Sequence, residues 1–319
     1  MRFATLTLHP ALDRLVETAR LTPGSVLDVR LRSIVPAGKG TNTARVLRIL
    51  TRRPVRTAAW IGAGEAPFFR AGLRRAGLAV ALCPRPCLTR QCLTLFEKET
   101  GRETHLKECM PPPSPVEERA LVRFLRRLDL RGAGLAVCGS APPGTRRGTL
   151  DRILSILRAQ ARILIMDSSG PLLDAAGRAR VDGLKGNAAE IGAWLRLGSA
   201  WRPESASDRR ALRAALARPG APAAVLITRG ARGAALATPD GLWLARPPRI
   251  PARFVASAIG CGDAATAGWL TALAEGLVPP AALARATACG TAKLLSSDPG
   301  TLDPRHVRRF VGLIRPVRL

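Results

Sequence analysis

The chain is expected to fold as an α/β protein built on a mainly parallel sheet with helices over both faces. Three features lead there. Short apolar runs such as GLAVCGS, ARILIMD and AAVLITRG lie between helix-forming segments, the strand–helix alternation that a parallel sheet needs. The runs are apolar almost throughout, as in strands covered on both sides. Most end at glycine-bearing turns, and in open α/β sheets ligands collect at the carboxyl ends of the strands. With 319 residues, 47% of them hydrophobic, the chain can bury one large core.

The elements follow in order. RFATLTL (2–8) reads as a first strand, and GSVLDVRLRSIVP (24–36) as strands of a sheet edge or lid, from its β-branched and alternating positions. GTNTARVLRILTR forms a helix with small residues at its start. RTAAWIG (56–62) is a buried strand closing on glycine, before the helix APFFRAGLRRAG. Residues 78–109 hold short strands broken by prolines, with Glu99-Thr100-Gly101-Arg102 as a hairpin tip. Pro111, Pro112, Pro113 and Pro115 precede the helix VEERALVRFLRRL. The strands GLAVCGS and ARILIMD flank the helix TLDRILSILRAQ, and VDGLKGN is a strand running into a loop. SDRRALRAALA is a helix, AAVLITRG a strand, and ARGAALATPDGLWLARPP a short hairpin. Helices at AATAGWLTALAEG, AALARATACGTAKLLSS and PRHVRRFVGLI complete the chain.

Composition removes several function classes. No run of 18 apolar residues occurs, so no membrane span is expected. The start, MRFATLTLHPALDR, reads as a strand and not a signal peptide, which makes the expected location cytoplasmic. Cys83, Cys87 and Cys92 lack the CxxC spacing of a zinc ribbon, and Cys138 and Cys289 read as buried thiols. The net charge of +27 comes mainly from arginine; the lysines are Lys39, Lys98, Lys107, Lys185 and Lys293. The arginines are spread through helices, without a basic tail or interleaved aromatics, so nucleic-acid binding is not expected.

Four segments carry candidate chemistry. In AIGCGDAATAG (258–268), Gly260, Cys261 and Gly262 precede Asp263 at a helix start. A helix start has unpaired N–H donors and partial positive charge, so it holds an anion; an ordinary helix cap is the alternative. PAGKGTNTAR (36–45) is not a Walker A loop, because Ser33 stands where its first glycine belongs and Gly40 follows Lys39. Its Gly38 and Gly40 admit a ligand close to the backbone while Lys39 and Asn42 offer a charge and an amide, or the segment is a plain turn. VCGSAPPGT (137–145) is a rigid turn after a strand. In DGLKGNAAEIGAWL (182–195), Asn187 and Glu190 face one side of a helix entry, suited to magnesium beside phosphates or to capping that helix.

In order along the chain, LTLHPALDR (6–14), AGKGTNTARVL (37–47), LTR (88–90), CGSAPPG (138–144), DSSG (167–170), KGNAAE (185–190), ITRGARGA (227–234) and IGCGDAATAG (259–268) resemble the ribokinase-like, or PfkB, carbohydrate kinases. The likeness is strongest to the branch holding 1-phosphofructokinase and tagatose-6-phosphate kinase. It implies a single three-layer kinase domain over residues 1–319, with a small β lid from strands within about 14–35 and 88–108 that in relatives also mediates dimers. It implies ATP and Mg2+ as cofactors and a sugar phosphate as acceptor, foremost fructose 1-phosphate giving fructose 1,6-bisphosphate. Asp263 would be the catalytic base, with the amides of Gly260, Cys261 and Gly262 around the transferring phosphoryl. Asp13, Gly38, Lys39, Asn42 and Arg90 would contact the sugar phosphate. Lys185, Asn187, Thr228, Gly230 and Gly233 would serve the nucleotide, and Glu190 the magnesium.

At a helix start, Asp263 is expected to have a lowered pKa and to be a weak base. The chain departs from the branch at His9, where Asn is usual, at Ala66 and Gly186, where Gly and Pro are usual, and at Cys261, where Ala is usual. The Asp and Tyr usual after the GSAPPG turn are also missing. Kinases for tagatose 6-phosphate, a plain sugar or a nucleoside are the alternatives, with a non-catalytic sugar-phosphate or nucleic-acid binding protein as another class.

Overall fold

The computed structural model describes residues 1–197 and 202–319. The central sheet contains β1 (Phe3–Thr7), β4 (Val55–Gly62), β5 (Ala79–Arg85), β8 (Gly134–Gly139), β9 (Ile163–Ser168), β10 (Gly183–Asn187) and β11 (Val225–Thr228), all mutually parallel. Three antiparallel strands extend it: β12 (Ala234–Thr238), β13 (Gly241–Ala245) and β14 (Val317–Arg318). The spatial order is β14-β13-β12-β11-β10-β9-β8-β1-β4-β5. A second sheet, ordered β3-β2-β6-β7, comprises β2 (Ala11–Thr18), β3 (Arg30–Ala37), β6 (Gln91–Glu97) and β7 (Glu103–Lys107). It is the expected lid.

Side chains alternate along the strands, so the main sheet builds two cores. Val55, Ala59, Ile61, Ile165 and Leu226 face one core. On that side lie α1 (Lys39–Thr51), α2 (Ala66–Arg75), α8 (Cys261–Ala274), α9 (Pro279–Lys293) and α10 (Pro304–Leu313). Ala58, Trp60, Leu164, Met166, Val225 and Ile227 face the other. That side is covered by α3 (Pro115–Arg127), α4 (Arg147–Gln160), α5 (Pro171–Ala176), α6 (Ala188–Trp194) and α7 (Ala206–Leu216).

Three differences from the sequence reading have local causes. Within 24–36 only Arg30–Ala37 is a strand; Gly24 has φ 82° in the turn closed by Ser25 N–H on the Thr22 carbonyl, and the wholly exposed Val26 has no core to face. The lid sheet begins earlier than expected, at Ala11, because residues 12–18 pair in parallel with residues 91–97. The two-residue β14 and six-residue α5 are too short to leave a periodic signal. The hairpin tip at 99–102 is as expected, with Phe96 opposite Glu103.

The small residues of α8 are a packing device. A Cβ on Gly268 would lie 2.6 Å from Cys289 Sγ of α9, so the two helices meet at the backbone. On the other side, the ring of Trp269 packs against β10, 2.4 Å from where a Cβ on Gly183 would stand. Gly183→Ala should therefore lower stability in urea unfolding by about 1–3 kcal/mol, the usual range for overfilling a packed core.

Candidate active site

The first turns of α1 and α8 meet edge to edge. Gly38 takes φ 127° to start α1, and a Cβ on Gly40 would lie 2.3 Å from Thr7 Oγ1, so only glycine lets the helix sit this close to β1. Gly260 takes φ 87° to start α8, and a Cβ there would meet the Pro299 carbonyl at 2.3 Å. Asn42 Nδ2 then donates to Asp263 Oδ2 at 2.9 Å, joining the helices across 221 residues of sequence. No side chain caps α8. Asp263, its third residue, turns towards Asn42 and does not cap its own helix, so the plain-cap alternative does not hold.

A second carboxylate stands behind the first. Asp167, at the carboxyl end of β9 and 0% exposed, lies 2.9 Å from Lys185 Nζ and 3.5 Å from Lys39 Nζ. It also accepts a hydrogen bond from Thr266 Oγ1 at 2.7 Å. Burial opposes its charge, but Lys185 and Lys39 prevail and hold its pKa below the ordinary value. Asp167 raises the pKa of Lys39, against burial and with help from Glu190 and Asp263. Lys185 Nζ also stands 3.3 Å from where a Cβ on Gly262 would be, so a cation adjoins the open turn.

Asp263 differs from expectation. Burial, reinforced by the Asp167 charge, raises its pKa from 3.8 to about 6, although Asn42, Lys185 and Lys39 pull the other way. A helix start lowers the pKa of an exposed carboxylate; at a buried one beside another negative charge, desolvation wins.

The remaining candidates fall into two groups. Beside the small sheet, burial raises the pKa of Asp13, opposed first by Arg90. Arg90 spends Nε on the Pro10 carbonyl at 3.2 Å and Nη2 on the His9 carbonyl at 3.0 Å. His9 Nδ1 pairs with Ser140 Oγ at 3.2 Å. Burial, with Arg90 and Arg85, brings its pKa down to about 4, so the imidazole is neutral at pH 7. On the other side, Thr228, Gly230 and Gly233 line a cavity of 630 Å³ that reaches Cys261 and Gly262.

Asn187 and Glu190 form a full capping box: Asn187 Oδ1 accepts from Glu190 N–H at 2.9 Å and Glu190 Oε2 accepts from Asn187 N–H at 2.7 Å. Among the described residues no three His, Cys, Asp or Glu side chains converge to form a metal cage. A single carboxylate such as Glu190, completed by phosphates and water, is a donor set that suits magnesium.

Asp167 and Thr266 were not singled out from sequence, although Asp167 opens the DSSG segment. The available signal was a lone carboxylate ending an otherwise apolar strand, ILIMDS.

The Asp263 shift has a stability consequence. Its folded-state pKa is raised, so the stability it contributes is full below 3.8 and is lost as the pH rises through about 6. Asp263→Asn should accordingly be more stable than the native chain at pH 7.5, by about 1–3 kcal/mol. The gain should vanish near pH 4, as read by urea unfolding at both pH values.

Comparison with known proteins agrees with this architecture. The pattern of the pfkB family carbohydrate kinases matches residues 11–305. The chain is 31% identical over 281 residues to 1-phosphofructokinase of Rhodobacter capsulatus, covering 87% of this chain and 85% of that one. It is 27% identical over 313 residues to ATP-dependent 6-phosphofructokinase isozyme 2 of Mycobacterium tuberculosis, covering 98% and 89%. The fold matches the crystal structure of phosphofructokinase-2 from Escherichia coli in complex with fructose-6-phosphate, with a TM-score of 0.84, 24% identity and 98% of each chain covered. A family pattern that runs through nearly the whole chain settles its membership: the protein belongs to the pfkB family of carbohydrate kinases.

Proposed function

We propose that this kinase transfers the terminal phosphoryl group of ATP to a hydroxyl of a ketohexose phosphate, with fructose 1-phosphate as the acceptor and fructose 1,6-bisphosphate as the product. The observation that carries the reading is Asp263: a buried carboxylate with a pKa of about 6, directly after the Gly260-Cys261-Gly262 turn and within the field of Lys185 and Lys39. Such a group is ionised at neutral pH and basic enough to take a hydroxyl proton as the new O–P bond forms.

The rest of the pocket fits roles around it. Asn42 orients the carboxylate, while Lys39, Asp13 and the remaining donor of Arg90 serve the sugar and the phosphate it already carries. The amides of Gly260, Cys261 and Gly262, with Lys185 alongside, stabilise charge on the moving phosphoryl. The Thr228–Gly233 cavity takes the nucleotide. Glu190, with Asn187 setting the helix start, would hold Mg2+, which neutralises the polyphosphate. The small sheet closes over the acceptor and excludes water. Its outer strand exposes Leu31, Ile34 and Val35, which supports pairing of two copies through the lid.

The relative from Rhodobacter capsulatus supports fructose 1-phosphate. The relative from Mycobacterium tuberculosis supports fructose 6-phosphate as the second reading.

Purified enzyme with ATP and Mg2+ should turn over fructose 1-phosphate with a kcat/KM above that for fructose 6-phosphate or tagatose 6-phosphate; equal or reversed preference would reassign the acceptor. Asp263→Asn should lower kcat by about 10²- to 10⁴-fold, and unchanged turnover would remove Asp263 from its role. In the native enzyme kcat should fall as the pH drops through about 6, because the protonated carboxyl cannot accept a proton. Sedimentation equilibrium should report a dimer that Ile34→Asp weakens.

A further inference from the structure

Lys293, the last residue of α9, is 0% exposed and has no part in the chemistry described above. Its Nζ donates to the Ser296 carbonyl at 2.7 Å and to the Ser257 carbonyl at 3.3 Å. Among the described residues no carboxylate pairs with it directly; Asp298 and Asp263 act on it only from a distance. A buried amino group is costly, and a methionine would fill the same space without that cost.

The position of the two carbonyls suggests what the group does. Ser257 lies in the loop that leads into the Gly260-Cys261-Gly262 turn, and Ser296 lies in the segment after α9. The same two segments are joined by Ala256 N–H on the Leu294 carbonyl at 2.7 Å, and Gly260 sits against the Pro299 carbonyl. The later segment is fastened to α1 as well, through Arg45 and Asp298 at 2.5 Å. Lys293 thus bridges the loop before the Gly260-Cys261-Gly262 turn to a support shared with α1.

We propose that Lys293 is a positioning residue that holds the 255–260 loop by binding its carbonyl, so that the following amides face the transferring phosphoryl group. This rests on the proposed role of those amides. Acceptor contacts come from α1 and the lid, so losing the amino group should affect kcat and leave the acceptor KM nearly unchanged. A small free amine should also be able to occupy the vacated place.

Lys293→Ala and Lys293→Met are to be compared with the native chain in sodium-only buffer, with and without methylammonium, and by hydrogen exchange. The expected result is a kcat lower by about 10- to 100-fold in both, with acceptor KM within threefold. Methylammonium should restore the alanine variant but not the methionine variant, whose side chain fills the space. Amides of 255–262 should exchange faster in both, while those of α1 do not change. A folded variant with native kcat, a loss that no amine restores in Lys293→Ala, or unchanged exchange at 255–262 would each overturn the proposal. If the alanine variant does not fold, kcat and exchange of Lys293→Met decide. If the native chain phosphorylates no sugar phosphate, the functional reading falls while exchange still decides whether Lys293 holds the loop.

Discussion

Two carboxylates and two ammonium groups, of which only Lys39 is substantially exposed, share one pocket, and the geometry of the site follows from keeping that arrangement tolerable. Asp167 is fully buried and survives as an anion because Lys185 and Lys39 flank it. The second acid, Asp263, is made harder to ionise by its own burial and then by the Asp167 charge, and its pKa rises to about 6. Separating the pKa values of two neighbouring acids in this way yields one fixed charge and one group able to exchange a proton near neutrality. Removing either lysine would leave the inner charge poorly compensated, a larger penalty than loss of a surface ion pair.

The pocket exists because small residues bring backbones together where side chains would hold them apart. Gly40 sets α1 against β1, Gly183 receives the ring of Trp269, and Gly268 admits Cys289. These contacts fix the spacing of α1, α8 and β10, which carry Asn42, Asp263 and Lys185. Functional groups mounted on regular elements and clamped by core packing are held more tightly than groups on loops. The loop before Cys261 is the exception, and its support comes from the segment after α9.

Much of this could be read from the sequence. The parallel strands announced themselves as short apolar runs between helices, and the glycine turns at 38–40 and 260–262 marked where helix starts would be open. The order of motifs added the family. Other features were out of reach because they depend on distance in space. Asp263 looked like the acid of an exposed helix start, and only its burial beside Asp167 reverses the direction of its pKa shift. Asp167 stood in a quoted motif without a role, since nothing local showed that Lys39, Lys185 and Thr266 converge on it. Lys293 counted only as one of five lysines, and sequence could not show that its partners would be two carbonyls.

The contact between Asn42 and Asp263 spans 221 residues, which bears on how the protein is made. During synthesis the strands through β11 emerge well before α8 and α9. Until those helices arrive, the core side of the sheet around Ile165 and Leu226 has nothing to cover it. A ribosome-bound intermediate of this kind is sticky, in the manner of long-range α/β topologies that close late. The last quarter of the chain therefore delivers Asp263, the Gly260-Cys261-Gly262 turn and the missing cover together, so that the pocket and the core are completed in the same event.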